Sequence, residues 1–470
     1  MSGLRRCCAS IPDRPAAGVL LRISPDQPVS IVGAGLAGAL LTVTLARRGC
    51  TVRLYDRRPD PRSTQSERGR SINLAMAARG IHALEQAGVM DRIRPLLIPM
   101  RGRMIHERTG GVSLQPYGQR ANEVIYSVSR AALNRVLIEE AARQPAVTAH
   151  FRHTCLAVEA ATGRLRFRDE ISRQEYEIPI APTVATDGAG SVVRSSLAAS
   201  GRLQVREDWL DHDYKELTLP SVNGRHALDP NALHIWPRGG FMLIALPNTD
   251  GSFTATLFLA RQGPKSFASL AGAESVLALF REEFPDALAL MPRLTEEFHA
   301  NAVGQLATVH ATPWHWGGQL LLLGDAAHAI VPFHGQGMNA GFEDCCVLDS
   351  LWDGSRDWPA LFREFEQLRR PDTEAIAQMA LENYTEMRDT VRDPAFVRRQ
   401  AIALELERNF PDRFIPRYSM VAFHPEIAYA EALRRGEIQA QILLELDRVP
   451  GALDADLARK LIHARLPPLP

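Results

Sequence analysis

At 470 residues, 46% of them hydrophobic, the chain is long enough to bury a large core and to divide into two or three domains. Its 54 basic and 54 acidic side chains cancel, which excludes a global pull toward nucleic acid or an anionic membrane, although local basic clusters remain. Six cysteines without CxxC spacing fit a reducing compartment, and no run approaches the roughly 20 apolar residues needed to span a bilayer.

Met1–Pro28 reads as a weakly ordered extension without an assigned role. Val29–Val32 reads as a strand, followed by the GxGxxG of Gly33 to Gly38, a helix over Ala39–Arg48, and a second strand from Thr51 that ends at Asp56. In such a unit Gly33 allows a tight turn, Gly35 lets a pyrophosphate approach a helix N-terminus, and Gly38 permits helix-to-strand packing. Asp56, at the expected spacing, should accept from a ribose hydroxyl. Arg57–Arg62 is a stiff basic connector, and Arg68-Gly69-Arg70 is either a phosphate or carboxylate cradle or a solvated basic turn. It should open a helical segment through Gly80, with a short helix over Ile81–Gly88.

Met100–His106 alternates polar and apolar residues and reads as a strand, with a strand or turn at Leu114–Gly118 beside it. Arg103 and Tyr117 could together receive a small carboxylate, or be rim residues tied to backbone. Ser129 should cap the helix Ala131–Ala142, placing Arg130 where it can face a phosphate. Thr183–Gly188 is a buried strand ending in Asp187, another candidate for the sugar or pyrophosphate region, with Arg194 in the helix that follows. Short strands between Tyr214 and Leu259 put Phe253, Ala255, Leu257 and Leu259 on one face, as a pocket wall or as plain core, and Pro264–Phe298 is largely helical.

Leu321–Phe342 holds a second signature: an apolar run into Gly324-Asp325, a turn stiffened by Pro332, and Gly335-Gln336-Gly337 before a helix. Asp325 suits a ribose or ribityl chain, and backbone N–H groups over Gly335–Met338 suit an anion or an electron-rich ring edge. A second GxGxxG is absent, so one cofactor held along its whole length, FAD, is favoured over exchanging NAD. His328 and His334 flank the turn without an assembled metal-ligand set. Helices follow over Leu361–Leu368 and, restarting at Pro371, over Asp372–Thr385; there Asn383 and Glu386 can share a face. Ala401–Leu461 forms mixed helices, a lid or a stabilising bundle.

The motifs GAGLAG (33–38), GRSINLAMAARG (69–80), MRGRMIH (100–106), QPYG (115–118), SVSRAALN (127–134), LHIWPRGG (233–240), GDAAHAIVPFHGQGMNAGFED (324–344), LENYTEM (381–387) and FIPRYSM (414–420) run through nearly the whole chain. On them it resembles the kynurenine 3-monooxygenases, within the class A FAD-dependent aromatic hydroxylases. The resemblance implies an α/β fold: a Rossmann-like FAD-binding domain of GR2 type (29–100, 121–200 and 305–375), an interleaved mixed-sheet substrate domain (101–120 and 201–304) and a C-terminal helical cap (376–470). It also implies bound FAD, with NADPH and O2 consumed to convert L-kynurenine to 3-hydroxy-L-kynurenine through a flavin C4a-hydroperoxide.

By the same resemblance Arg103, Tyr117 and Tyr418 bind the substrate carboxylate region, while Asn383 and Glu386 shape the site. Phe333, His334, Gly335 and Gln336 line the loop between substrate and flavin, and no side-chain nucleophile is needed. FAD contacts are expected at Gly33, Gly35, Gly38, Asp56, Arg57, Arg70, Arg130, Asp187, Asp325, Gly335, Gly337, Met338 and Asn339. The chain has Ala185-Thr186-Asp187-Gly188 where relatives often show GADG, which keeps the acid. It looks like the soluble bacterial form without a membrane anchor, cytoplasmic and with small molecules as its partners. Two alternatives stay open: a hydroxylase of another anthraniloyl or tryptophan-derived acid, and a noncatalytic FAD-binding sensor.

Overall fold

The computed structural model describes residues 27–63, 73–352, 354, 357–391, 393–448 and 453–469. Its first layer is a six-stranded sheet ordered His315–Trp316, Leu320–Leu322, Thr183–Ala185, Val29–Val32, Val52–Asp56 and Val147–Phe151, parallel except at the His315–Trp316 edge. Its central strands are buried on both faces, which is why they are mainly apolar, with only the small hydroxyls of Ser30 and Thr183 among them. Register sets the site. Val32 pairs with Tyr55 on one side and Ala185 on the other, and Ala185 pairs with Leu322. The segments that follow, carrying Gly33, Asp56, Asp187 and Gly324, therefore leave the carboxyl edge at one level, where open parallel sheets bind ligands.

The second layer is a seven-stranded mixed sheet ordered Val303–Thr312, Gln204–Leu219, Phe253–Ala260, Met242–Pro247, Leu233–Pro237, Gly102–His106 and Val112–Pro116. Phe253, Ala255, Leu257 and Leu259 face Val276, Phe280 and Phe284 of the helical stretch behind it and are core. The opposite face, with Met242, Ile244, Thr256 and Phe258, is the one that walls a cavity. Three C-terminal helices, Pro394–Asn409, Tyr429–Asp447 and Ala455–Arg465, share a separate apolar core around Leu406, Ile442 and Ile462.

Three expectations are corrected. Asn73–Met76 is a strand, antiparallel to Ile125–Ser129, and the helix begins only at Ala78. Strand pairing, together with Asn73 Nδ2 donating to Ser127 Oγ (3.1 Å) and Pro247 O (2.8 Å), overrides the helical propensity of this alanine-rich run. The helix of Trp358–Thr385 does not restart at Pro371 but runs through it. Pro371 and Gln367, whose carbonyl loses its partner, are both exposed, and buried Arg369 ties the helix to Asp344 (2.8 Å) and Glu343 (2.9 Å) beside the break. Tyr214–Leu217 belongs to a 16-residue strand, Gln204–Leu219, with a register shift between Trp209 and Asp213. Arg70 lies outside the described residues. Among the described residues no helix is long and apolar enough to cross a membrane, and no group of three or more His, Cys, Asp or Glu is placed to hold a metal ion.

Candidate active site

A single cavity of about 1020 Å³ runs from the carboxyl edge of the parallel sheet to the inner face of the mixed sheet, so glycine-rich turns and Arg103 share one space. The three glycines of the first turn differ in what constrains them. Gly33 sits at φ +104°, where a Cβ would lie 2.5 Å from Thr186 O, and a Cβ on Gly38 would lie 2.0 Å from Gly33 O. Both are steric necessities of the fold. A Cβ on Gly35 would meet nothing within 4 Å, because Gly35 opens onto the cavity.

Asp56 accepts from Ala34 N (2.7 Å) and from Arg58 through its backbone N (2.8 Å), Nε (3.0 Å) and Nη2 (2.9 Å). Burial opposes its charge, but Arg58 and the two backbone donors hold its carboxyl below the ordinary range. Four donors fill its lone pairs, so a ribose hydroxyl would have to displace part of Arg58. Asp187 is the complement: burial pushes its carboxyl up, Oδ2 accepts from Val193 N at 3.2 Å, and buried Oδ1 has no hydrogen-bond partner. Arg57 and Arg130 line the same space, Arg130 from a helix whose cap, Ser129, accepts from Ala132 N at 3.4 Å.

At the second signature Gly324 turns at φ +63° and Asp325 faces the cavity. Behind the turn, buried Asp344 accepts from Gly324 N (3.1 Å), His328 Nε2 (2.7 Å) and Arg369 Nε (2.8 Å). Burial works against this carboxylate, but His328 and Arg369 bring it down to about 2. Gly335, at φ +67°, precedes the helix Gly337–Ser350, whose first residues, Gly337 and Met338, line the cavity with N–H groups that no preceding turn can satisfy. The side chain of Asn339 does not reach the cavity: its amide donates to Ala75 O (2.9 Å) and Gly335 O (2.8 Å) and accepts from Ala77 N (3.0 Å). Nor does that of Gln336, which accepts from the Tyr429 hydroxyl (2.8 Å).

Arg103 lies in the mixed sheet with 8% of its surface exposed. Its Nη1 donates to Glu386 Oε1 (2.8 Å), its Nη2 to Asn383 Oδ1 (3.1 Å), and its guanidinium lies 5.1 Å from the ring centre of Tyr418, which stacks on Tyr117 at 5.1 Å. Burial disfavours its charge, yet Glu386 and the two tyrosines raise its pKa above the ordinary value. Asn383 in turn donates to Phe333 O (2.6 Å). Glu386 contributes through Arg103, not from the cavity wall, and starts a five-residue π-helical stretch at the end of the long helix. His334 stacks on Tyr418 at 5.2 Å, and burial, with Arg103 and Arg417 nearby, lowers its imidazole to about 3.

A family model described as an FAD binding domain matches residues 26–351. Kynurenine 3-monooxygenase of Xanthomonas euvesicatoria pv. vesicatoria (strain 85-10) is 46% identical over 453 residues, covering 95% of this chain and 99% of that protein. The same-named protein of Myxococcus xanthus (strain DK1622) is 46% identical over 444 residues, 94% and 96% of the two chains. The chain belongs to the kynurenine 3-monooxygenase family. As a member of that family it takes FAD as its cofactor, and the cleft fits the group: Gly35 leaves the approach to a helix N-terminus open, and Asp187 Oδ1 is buried and unsatisfied.

Among solved structures, the tetrameric form of 2-methyl-3-hydroxypyridine-5-carboxylic acid oxygenase matches with a TM-score of 0.63 at 18% identity, covering 78% of this chain and 94% of that one. PqsL of P. aeruginosa in complex with 2-aminobenzoylacetate matches at 0.61 and 19%, covering 77% and 96%. These likenesses establish the shared fold. Within this member of the kynurenine 3-monooxygenase family, sequence reasoning missed Arg58, the partner of Asp56, and the aromatic neighbours of Phe333: Phe258, which lines the cavity at 4.9 Å from it, and Tyr384, which stacks on it at 3.9 Å from outside the lining. Alternation in the strand around Phe258 was a usable signal, but it did not say which face looks inward.

Proposed function

We propose that the chain hydroxylates L-kynurenine to 3-hydroxy-L-kynurenine, consuming NADPH and O2 with bound FAD. The observation that carries the reading is the buried Arg103 guanidinium, framed by Tyr117, Tyr418 and Asn383, in the same cavity as the two glycine-rich turns. A planar fork held in a low-dielectric wall suits a carboxylate, and the flat stack of tyrosines beside it suits the chain of an aromatic amino acid.

In this reading Gly33, Gly35, Asp56, Arg57, Arg130 and Asp187 hold the adenosine and pyrophosphate end of FAD, while Asp325, Gly335, Gly337 and Met338 hold the other. Gly38 and Asn339 act through the backbone they pack against. When bound, FAD accepts hydride from NADPH and activates O2. The protein orients, shields and neutralises. Arg103, Tyr117 and Tyr418 fix the amino-acid end, and Phe258 and Phe333, the latter backed by Tyr384, exclude water beside the ring. The N–H groups at the start of the Gly337–Ser350 helix stabilise negative charge brought against them. The ring's own amine supplies electron density at the carbon attacked, so no protein nucleophile takes part. His334, held neutral, serves as a wall and not as a general base.

The test is product identification by mass spectrometry after reaction of the yellow holoenzyme with NADPH, O2 and L-kynurenine. Formation of 3-hydroxykynurenine is expected; NADPH oxidation that yields only peroxide overturns the assignment.

A further inference from the structure

The Gly335-Gln336-Gly337 turn is held by two side chains, those of Asn339 and Tyr429, that do not line the cavity. Gly335 needs a positive φ, and a Cβ there would lie 2.9 Å from Ala75 Cβ, so the turn is pressed against the strand before it. From its own helix, Asn339 bonds Gly335 O and Ala75 O, which pins the first glycine. From the far C-terminal region, the hydroxyl of Tyr429 donates to Gln336 Oε1 at 2.8 Å, a contact between residues 93 apart in sequence and fully enclosed, with Tyr429 0% and Gln336 2% exposed. The Tyr429 ring is itself fixed by Arg79, whose guanidinium lies 3.9 Å from its centre and is 1% exposed. Arg79 also pairs with Glu343 of the turn's own helix and donates to the carbonyl of Ile427, two residues before Tyr429.

We infer that Tyr429 is a positioning residue: through Gln336 it sets the turn that presents the Gly337 and Met338 N–H groups to the flavin, making the C-terminal helical region part of the apparatus that couples NADPH consumption to hydroxylation. The inference rests on the proposed function, because it assumes that the flavin meets this turn. Its physical basis is the cost of a loose turn. Gln336 lies between two glycines, so its backbone has few intrinsic restraints, and a buried side-chain hydrogen bond supplies one. Without it the turn samples more conformations, the N–H groups point less uniformly, and water gains entry, which diverts reducing equivalents to peroxide.

Y429F tests this, since it keeps the ring, its packing and the Arg79 contact while deleting the hydroxyl; Q336L deletes the acceptor instead. Each variant is expected to retain FAD and to melt within a few degrees of wild type. Each should also release several-fold more peroxide per NADPH oxidised with L-kynurenine, and shift the visible spectrum of bound FAD without substrate. The double variant should match either single one, because both remove the same bond. Wild-type peroxide yield and an unchanged flavin spectrum in both singles, or additive defects in the double, overturn the inference while leaving the reaction assignment standing. A wild-type protein that binds no FAD removes the reading beneath it. If Y429F fails to fold, Q336L decides by the same two readouts.

Discussion

Arg103 in the mixed sheet and Glu386 at the start of the π-helical stretch, 283 residues apart in sequence, meet at 2.8 Å, Arg103 lining the cavity and Glu386 standing behind it. The pair gives a buried guanidinium a partner before any ligand arrives, so a substrate carboxylate joins an already neutralised fork and must share it. R103A therefore removes the proposed clamp and leaves Glu386 uncompensated. We expect KM for L-kynurenine to rise by roughly 30- to 1000-fold, equivalent to about 2–4 kcal/mol, with FAD content near wild type. R103K keeps the charge but loses the fork and should fall between. Steady-state kinetics with flavin absorbance checks both, and an unchanged KM in R103A excludes the clamp.

Gly35 and Gly38 should respond in opposite ways to the same added side chain. G38V drives a Cβ to 2.0 Å from a backbone oxygen and should cost more than about 3 kcal/mol of stability. G35V points into open cavity, so the apoprotein should denature within about 1 kcal/mol of wild type while FAD retention collapses. Urea titration of apoprotein and FAD titration by fluorescence separate the two effects. A G35V protein that stays yellow through desalting contradicts the placement of the dinucleotide.

The first turn was legible in the sequence because its glycines answer to short-range sterics, and the strand, turn, helix and acid occur in order within thirty residues. The strand at Asn73–Met76 was not, because its partner, Ile125–Ser129, lies some fifty residues on and local alanines argue for a helix. Asn339 shows a different limit. A motif marks a segment as belonging to a site without saying which of its side chains face inward, and this amide turns back to its own backbone neighbours. Gln336 is similar, since only the fold brings Tyr429 to it. Arg103 and Tyr117 could be paired from adjacent strand signals and Asn383 with Glu386 from helical spacing, but the joining of the two pairs, and Tyr418 with them, came only through resemblance, as nothing local links residues so far apart in the chain.

Asp344 should make acid stability depend on the Gly324 turn. Its folded carboxyl lies at about 2, below the ordinary aspartate value of 3.8, so its contribution is complete above about pH 4 and is lost as pH falls toward 2. The shift corresponds to a contribution on the order of 2 kcal/mol. D344N leaves His328 and Arg369 without their carboxylate, so at pH 7 it should denature at lower urea than wild type, and the two midpoints should converge below about pH 4. Urea titrations at constant FAD, followed by tryptophan fluorescence, measure this. A constant gap from pH 7 to pH 2.5 shows that Asp344 does not titrate as its surroundings dictate.

His334 should be silent where an ordinary histidine titrates. Burial, then the nearby Arg103 and Arg417 charges, lowers its imidazole from 6.5 to about 3, so in the folded protein it stays neutral throughout the working range. H334Q is therefore expected to lower kcat/KM for L-kynurenine through lost stacking on Tyr418, while leaving the shape of its pH profile between 5.5 and 8 unchanged. The stability counterpart has a definite sign. The unfolded chain binds a proton at this histidine below about pH 6.5 and the folded chain does not until about pH 3, so wild type loses stability relative to H334Q as pH falls through that window. Above pH 6.5 both states are neutral and the term vanishes. A kinetic inflection near pH 6.5 that is present in wild type and absent in H334Q would show the imidazole titrating during turnover, and would restore a proton-transfer role that its buried position argues against.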